Sequence, residues 1–180
     1  MMKIKVKEKD NSEEKIYKNI YEYAKMSLEF EEKREQSLIS QSNRMLTAFS
    51  ITTGVLLIIH ERVQNASSIS IPFINSITII CMILFVTSMI LALLVSWRYK
   101  YKSLPSPETM MNHILANKEC FITSEQRNKS FTETIDSVWK SKNTLNNKRA
   151  KLIIASMSIY FSSVGVALIS TIIVLISKIL

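Results

Sequence analysis

Apolar residues come in blocks along this chain, not at scattered positions. From Val63 to Trp97 there are 35 consecutive residues without a charge, and from Leu152 to Ser177 there are 26. A helix that crosses a bilayer core needs about 20 predominantly apolar residues, so either block suffices. A third block, Met45 to Ile59, is 15 uncharged residues between Arg44 and His60. As a helix it rises about 22 Å against a core of about 30 Å. The uncharged stretch Gln36 to Asn43 precedes it, and Arg44 can snorkel toward the headgroups and let the span begin earlier. The pattern predicts three spans, the first being the shortest.

Between the blocks the periodicity is helical. Tyr17, Tyr21, Ala24 and Leu28 share one face at spacings of three and four, and Leu38 resumes it. The run Glu31 to Gln36 (EEKREQ) breaks the stripe. Asn11 followed by Glu14 reads as a capping box, which predicts a helix from about residue 12 into the first span. Up to Ile59 that helix is about 70 Å long and projects beyond the membrane surface. In the second polar segment, Leu104-Pro105-Ser106-Pro107 is a stop followed by a start, with Ser106 as N-cap, Pro107 at the first helical position and Glu108 at the positive end. Met110, Met111, Ile114 and Leu115 then share a face. Thr123 and Gln126 suggest a second capping box. Phe131, Ile135, Val138, Trp139 and Leu145 mark an apolar stripe that continues toward the last span. No stretch alternates with period two long enough for a sheet, and no internal repeat is visible.

The fold class expected is an all-α integral membrane protein: three transmembrane helices with long cytoplasmic helical extensions. Its parts are a cytoplasmic helical arm (1–44), a first span (45–59), an external loop (60–71), a second span (72–97), a cytoplasmic helical segment (98–151), a third span (152–177) and an external tail (178–180).

Charge supplies the orientation. The 180 residues are 47% hydrophobic and 21% charged, with 23 Lys+Arg against 15 Asp+Glu. Lys and Arg number ten in residues 1–44, one in 60–71, eleven in 98–151 and one after Ser177. The positive-inside rule places 1–44 and 98–151 in the cytoplasm and the C-terminus outside, in the cell (inner) membrane. Two spans would leave ten basic residues outside, against that rule. The N-terminus, MMKIKVKEKD, has basic residues without an apolar region behind them, so no cleaved signal peptide is expected. The clusters Arg98-Tyr99-Lys100-Tyr101-Lys102 and Lys148-Arg149-Ala150-Lys151 touch the cytoplasmic ends of spans. There they anchor topology and attract anionic lipid, and Trp97, Tyr99 and Tyr101 fit the aromatic belt. Membrane lipids are therefore expected partners and nucleic acid is not. Tyr17, Tyr21 and Tyr23 are read as packing residues, because no RNP-type or OB-type context surrounds them.

Candidate chemistry is sparse. No GxSxG, HExxH, Walker A or GxGxxG pattern occurs, and two glycines in total disfavour phosphate-cradling loops. His60 and His113 fall on opposite sides of the membrane in this topology and cannot share a metal. Cys81 and Cys120 make no CxxC pair and read as inert. Neither cofactor nor metal nor enzymatic activity is expected. The spans hold no Asp, Glu, Lys or Arg, which argues against coupled transport. They do hold small and hydroxyl residues at helical spacing: Ser50 and Gly54; Ser158 and Ser162; and Ser163, Ala167 and Thr171. Such residues allow close helix approach, either within one protomer or as an oligomer face or weakly polar pore lining. Asn75, after Pro72, can add an interhelical hydrogen bond. In the cytoplasmic segment, Phe131, Ile135, Val138 and Trp139 are expected to pack against the N-terminal arm or to dock a partner.

The plan from Tyr17 to Lys102, with EFEEKREQSLISQSNRML ahead of the first span, resembles the SLATT-type proteins, small bacterial membrane effectors of antiphage defence. In these a cytoplasmic helix leads into a transmembrane hairpin and a further helical segment follows; the third span here is additional. The resemblance implies an oligomeric effector that permeabilises or depolarises the cell membrane when triggered. It carries over no functional residue. The alternative from the residues alone is a non-enzymatic anchor or scaffold that holds a cytoplasmic protein partner. An integral-membrane enzyme is the third reading, and no acid–base or nucleophile constellation supports it.

Overall fold

The computed structural model describes the backbone of residues 2–66 and 71–179, and the side chains of 14–59, 61, 75–119, 121–174 and 176. Four α-helices account for most of it: α1 (Met2–Ala66), α2 (Ile71–Ser96), α3 (Pro107–Ala116) and α4 (Ser124–Ile179). A 3₁₀ turn, Lys118–Phe121, stands between α3 and α4. No strand occurs among the described residues. Three of the helices contain stretches long and apolar enough to cross a membrane: Glu14–Ile59, Asn75–Ser96 and Ser124–Val174.

The expected start of α1 is corrected. The helix begins at Met2, so Asn11 and Glu14 lie inside it and form no capping box. It also runs past Ile59 to Ala66, and α2 begins at Ile71, so most of the expected external loop is helical. Residues 67–70 and the side chains of His60, Pro72 and Cys120 lie outside the described residues. The other two caps form as their sequence dictates. Ser106 Oγ accepts from the Thr109 amide at 3.2 Å with Pro107 opening α3, and Met110 N bonds Ser106 O at 2.9 Å. At the head of α4, Gln126 N donates to Thr123 Oγ1 at 3.2 Å and Thr123 N to Gln126 Oε1 at 3.3 Å. That reciprocal pair is a capping box.

The chain divides into two compact units. Unit 1 is Met1–Glu35 with Tyr99–Asn146; unit 2 is Gln36–Arg98 with Asn147–Leu180. In unit 1, the stripe of α1 meets the stripe of α4. Leu28, Ile135 and Val138 are buried together, with Tyr21, Ala24 and Trp139 packed against them. Phe131 adds tilted ring contacts to Tyr21 (6.3 Å) and Phe121 (6.4 Å). The Ser124 hydroxyl bonds the Glu14 carboxylate, tying the start of α4 to α1.

Unit 2 packs α1, α2 and α4 around Met45, Phe49, Ala92, Val95 and Ile153. Its inward positions step by three and four: Ser42, Met45, Phe49 on α1; Cys81, Phe85, Ser88, Ala92, Val95 on α2; Arg149, Ile153, Ser156, Ser163 on α4. A mean period of 3.5 is the signature of helices crossing at about 20° with a left-handed twist. Fully buried serines sit where backbones come closest. Ser88 Oγ donates to Ser156 O and Ser156 Oγ to Ser88 O, both at 2.8 Å. Seven residues along, Ser163 Oγ donates to Cys81 O at 3.0 Å. Ser42 Oγ donates to Ala92 O at 2.5 Å and joins α1 to α2. Each such bond contributes about 1 kcal/mol in an apolar surrounding.

Candidate functional site

Two polar constellations stand out, one in each unit. In unit 2 it is the outward side of α1. Ser40, Asn43, Thr47, Ser50 and Gly54 step by three and four along the side opposite the seam of Ser42, Met45 and Phe49, and all five are exposed. Thr47 and Ser50 return their hydroxyls to the carbonyls of Asn43 (3.2 Å) and Leu46 (2.9 Å). Such back-bonding lets a hydroxyl sit on an apolar helix without a buried orphan donor. A Cβ added at Gly54 meets no atom within 4 Å, so the strip is open there, whereas Asn43 Oδ1 accepts from Ser96 Oγ of α2 at 3.1 Å. On α2, Ile79, Ile83, Val86 and Ile90 are exposed, with Thr87 among them. On α4, Ile154, Ile169, Ile172 and Ile176 are exposed in the same way, and Ser158 and Ser162 interrupt them.

Ser163, Ala167 and Thr171 turn toward the other helices of unit 2. Ser163 is fully buried and bonded to α2. Ala167 and Thr171 line a cavity of about 60 Å³ together with Thr53, Thr78, Cys81 and Ser170. Ser163 thus packs within the protomer, because α2 presents the carbonyl that its hydroxyl needs, while Ala167 and Thr171 are half-buried. Asn75 is exposed. At the level of Ser158 and Ser162, Tyr160 holds the unit's centre. Its ring stacks on Phe49 (4.2 Å) and meets Phe85 edge-on (5.6 Å), and its hydroxyl bonds Thr52 Oγ1 at 2.7 Å.

Neither a protein-family model, nor a curated protein, nor a solved structure matches this chain.

The second constellation is a buried polar layer between α1 and α4 in unit 1. Asn146, 1% exposed, donates to Glu31 O at 2.9 Å and to Glu31 Oε2 at 2.8 Å. Arg34 reaches Glu31 Oε1 at 3.3 Å and Asn143 Oδ1 at 3.4 Å. The Lys142 ammonium lies 3.3 Å from both Glu32 Oε1 and Glu35 Oε2, and 4.5 Å from the centre of the Tyr101 ring. Burial works against the Lys142 charge, but its hydrogen bond to Glu32 and the attraction of Glu35 outweigh that cost. They hold the ammonium above the ordinary lysine range. Glu31 and Lys142 are 5% and 6% exposed, so the EEKREQ run does not leave the seam as its polarity predicts. Glu31 and Glu35 continue the three-four spacing from Leu28 to Leu38, and that spacing was the available signal.

Phe131, Ile135, Val138 and Trp139 end up beside this layer, as packing against α1. Their pairing with Tyr21, Ala24 and Leu28 joins the N-terminal arm to the 98–151 segment. His113, exposed, meets Phe121 edge-on at 5.7 Å and shares a contact with Asn117. Among the described residues, no three of His, Cys, Asp and Glu gather as metal ligands.

Proposed function

We propose that this chain is a three-span membrane protein whose copies assemble and, when triggered, permeabilise or depolarise the cell membrane. On this reading it is not an enzyme, and its antiphage role is the one the resemblance implies. Large apolar side chains on the outward faces of unit 2 support insertion, since a soluble protein rarely exposes so wide an apolar surface. The distribution of Lys and Arg supports an N-terminus in the cytoplasm and a C-terminus outside.

One observation carries the permeation reading: a strip of polar and small residues, Ser40, Asn43, Thr47, Ser50 and Gly54, runs along α1 beside the exposed Ile51, Val55 and Ile58. Inside hydrocarbon a face of Ser40, Asn43, Thr47, Ser50 and Gly54 is better covered by water or by another helix than by lipid. A ring of copies that turns this face toward a shared axis satisfies it. The rival reading, a membrane anchor for a cytoplasmic protein partner, needs no such strip.

Membrane potential is the test. Induced expression in a bacterium should depolarise the cells, read with a voltage-sensitive dye. Gly54→Leu fits the protomer, because the space at Gly54 is open, and should reach the membrane in equal amount. It should nonetheless abolish depolarisation. Normal potential with the unaltered chain, accompanied by co-purification of a partner, would overturn the effector reading in favour of the anchor.

A further inference from the structure

Unit 1 leaves a second apolar face of α1 uncovered. Ile16, Ile20, Tyr23 and Phe30 follow one another at heptad spacing and are 52%, 44%, 72% and 67% exposed, with Met26 beside them. These positions are distinct from Tyr21, Ala24 and Leu28, which pack on α4. A groove of about 280 Å³ runs alongside, lined in part by Ile20, Tyr23, Ser27 and Trp139. Polar residues end the stripe, with Arg34 and Ser37 at the next two heptad positions.

We propose that this face pairs with the same face of a second copy of the chain, α1 against α1, parallel and in register. The proposal rests on the membrane reading above, because two copies inserted alike present their α1 helices in the same direction. The area is sufficient. Five large side chains of about 200 Å² each, exposed by somewhat more than half, bury about 600 Å² per copy. The pair then buries about 1,200 Å², the lower edge of a stable specific interface. Charge also allows it. In a parallel pair the flanking positions are Tyr17, Asn19, Ala24, Met26 and Glu31; Ala24 and Glu31 turn toward α4, where Glu31 bonds Asn146, and the other three are uncharged. Lys15, Lys18, Glu22 and Lys25 lie farther round the helix. A contact between identical patches closes on a two-fold axis, so it adds copies in pairs.

Disulfide trapping in isolated membranes tests the register. In the full chain carrying Cys81→Ala and Cys120→Ala, single cysteines are placed at Ser27 or Ile20, on the stripe, and at Lys18, on the opposite side. Mild oxidation should give at least tenfold more disulfide dimer from Ser27→Cys and Ile20→Cys than from Lys18→Cys. Adding Tyr23→Lys and Phe30→Lys to Ser27→Cys should remove that excess. Co-expressed Ile16→Cys and Phe30→Cys chains should give no mixed dimer; a mixed dimer would mean antiparallel pairing and overturn the register. If the chain resists carbonate extraction yet neither stripe cysteine dimerises, the pairing is wrong while the membrane reading stands. If carbonate releases the chain, the membrane reading itself falls.

Discussion

Removing the Asn146 side chain should weaken unit 1 far more than removing the whole polar pair. Asn146→Ala deletes two hydrogen bonds to Glu31, one to its carbonyl and one to its carboxylate. The carboxylate stays 5% exposed and keeps Arg34 at 3.3 Å. A buried acceptor that loses its donor costs about 1–3 kcal/mol, and a charged one costs toward the upper end. About 2–3 kcal/mol is therefore expected, and amide exchange along the α1–α4 seam should rise by about 30- to 150-fold. Replacing both partners with apolar residues of similar size, Asn146→Leu with Glu31→Met, removes the orphan and the penalty together. Such double replacements are often neutral or stabilising. The assay is hydrogen exchange by mass spectrometry on detergent-solubilised protein, read over peptides that include Leu28 and Val138. A double variant as destabilised as the sum of its single variants would refute the reasoning. So would an Asn146→Ala variant with unchanged exchange.

Two further outcomes follow from single side chains. Tyr160→Phe keeps the ring contacts to Phe49, Phe85 and Phe161 and loses only the bond to Thr52, so it should cost about 1 kcal/mol, whereas Tyr160→Ala should cost about 3–5 kcal/mol; thermal unfolding in detergent ranks the two, and equal losses would contradict the packing role. Lys142 is held above its ordinary value, so its stabilisation is complete below the unfolded lysine value of about 10.4 and is lost as pH rises through the higher folded value. The stability gap between the unaltered chain and Lys142→Met should therefore stay level from pH 6 to about pH 10 and narrow only above it, as chemical denaturation at several pH values would reveal.

Much of the molecule was legible along the chain because the signals are local. Two long uncharged blocks and a shorter one locate three helices, since a helix satisfies its backbone without help from neighbours. The caps at Ser106 and Thr123 depend on residues three apart and form as read. The pairing of Tyr21, Ala24 and Leu28 with Ile135 and Val138 follows from two stripes that each need cover. Direction around a helix was harder. Ser50 and Gly54 face outward, while Ser163, with the same composition around it, faces inward and bonds Cys81 O. Small residues suit either side, and only the position of α2 decides between them. Polarity misled at EEKREQ. Glu31 stays in the seam because Asn146, 115 positions away in the chain, supplies the donor that its burial requires. Tyr160 carries no mark in the sequence beyond being one aromatic among apolar neighbours. Its place beside Phe49, Phe85 and Thr52 exists only once three helices converge, because packing is fixed by partners that the local pattern does not name.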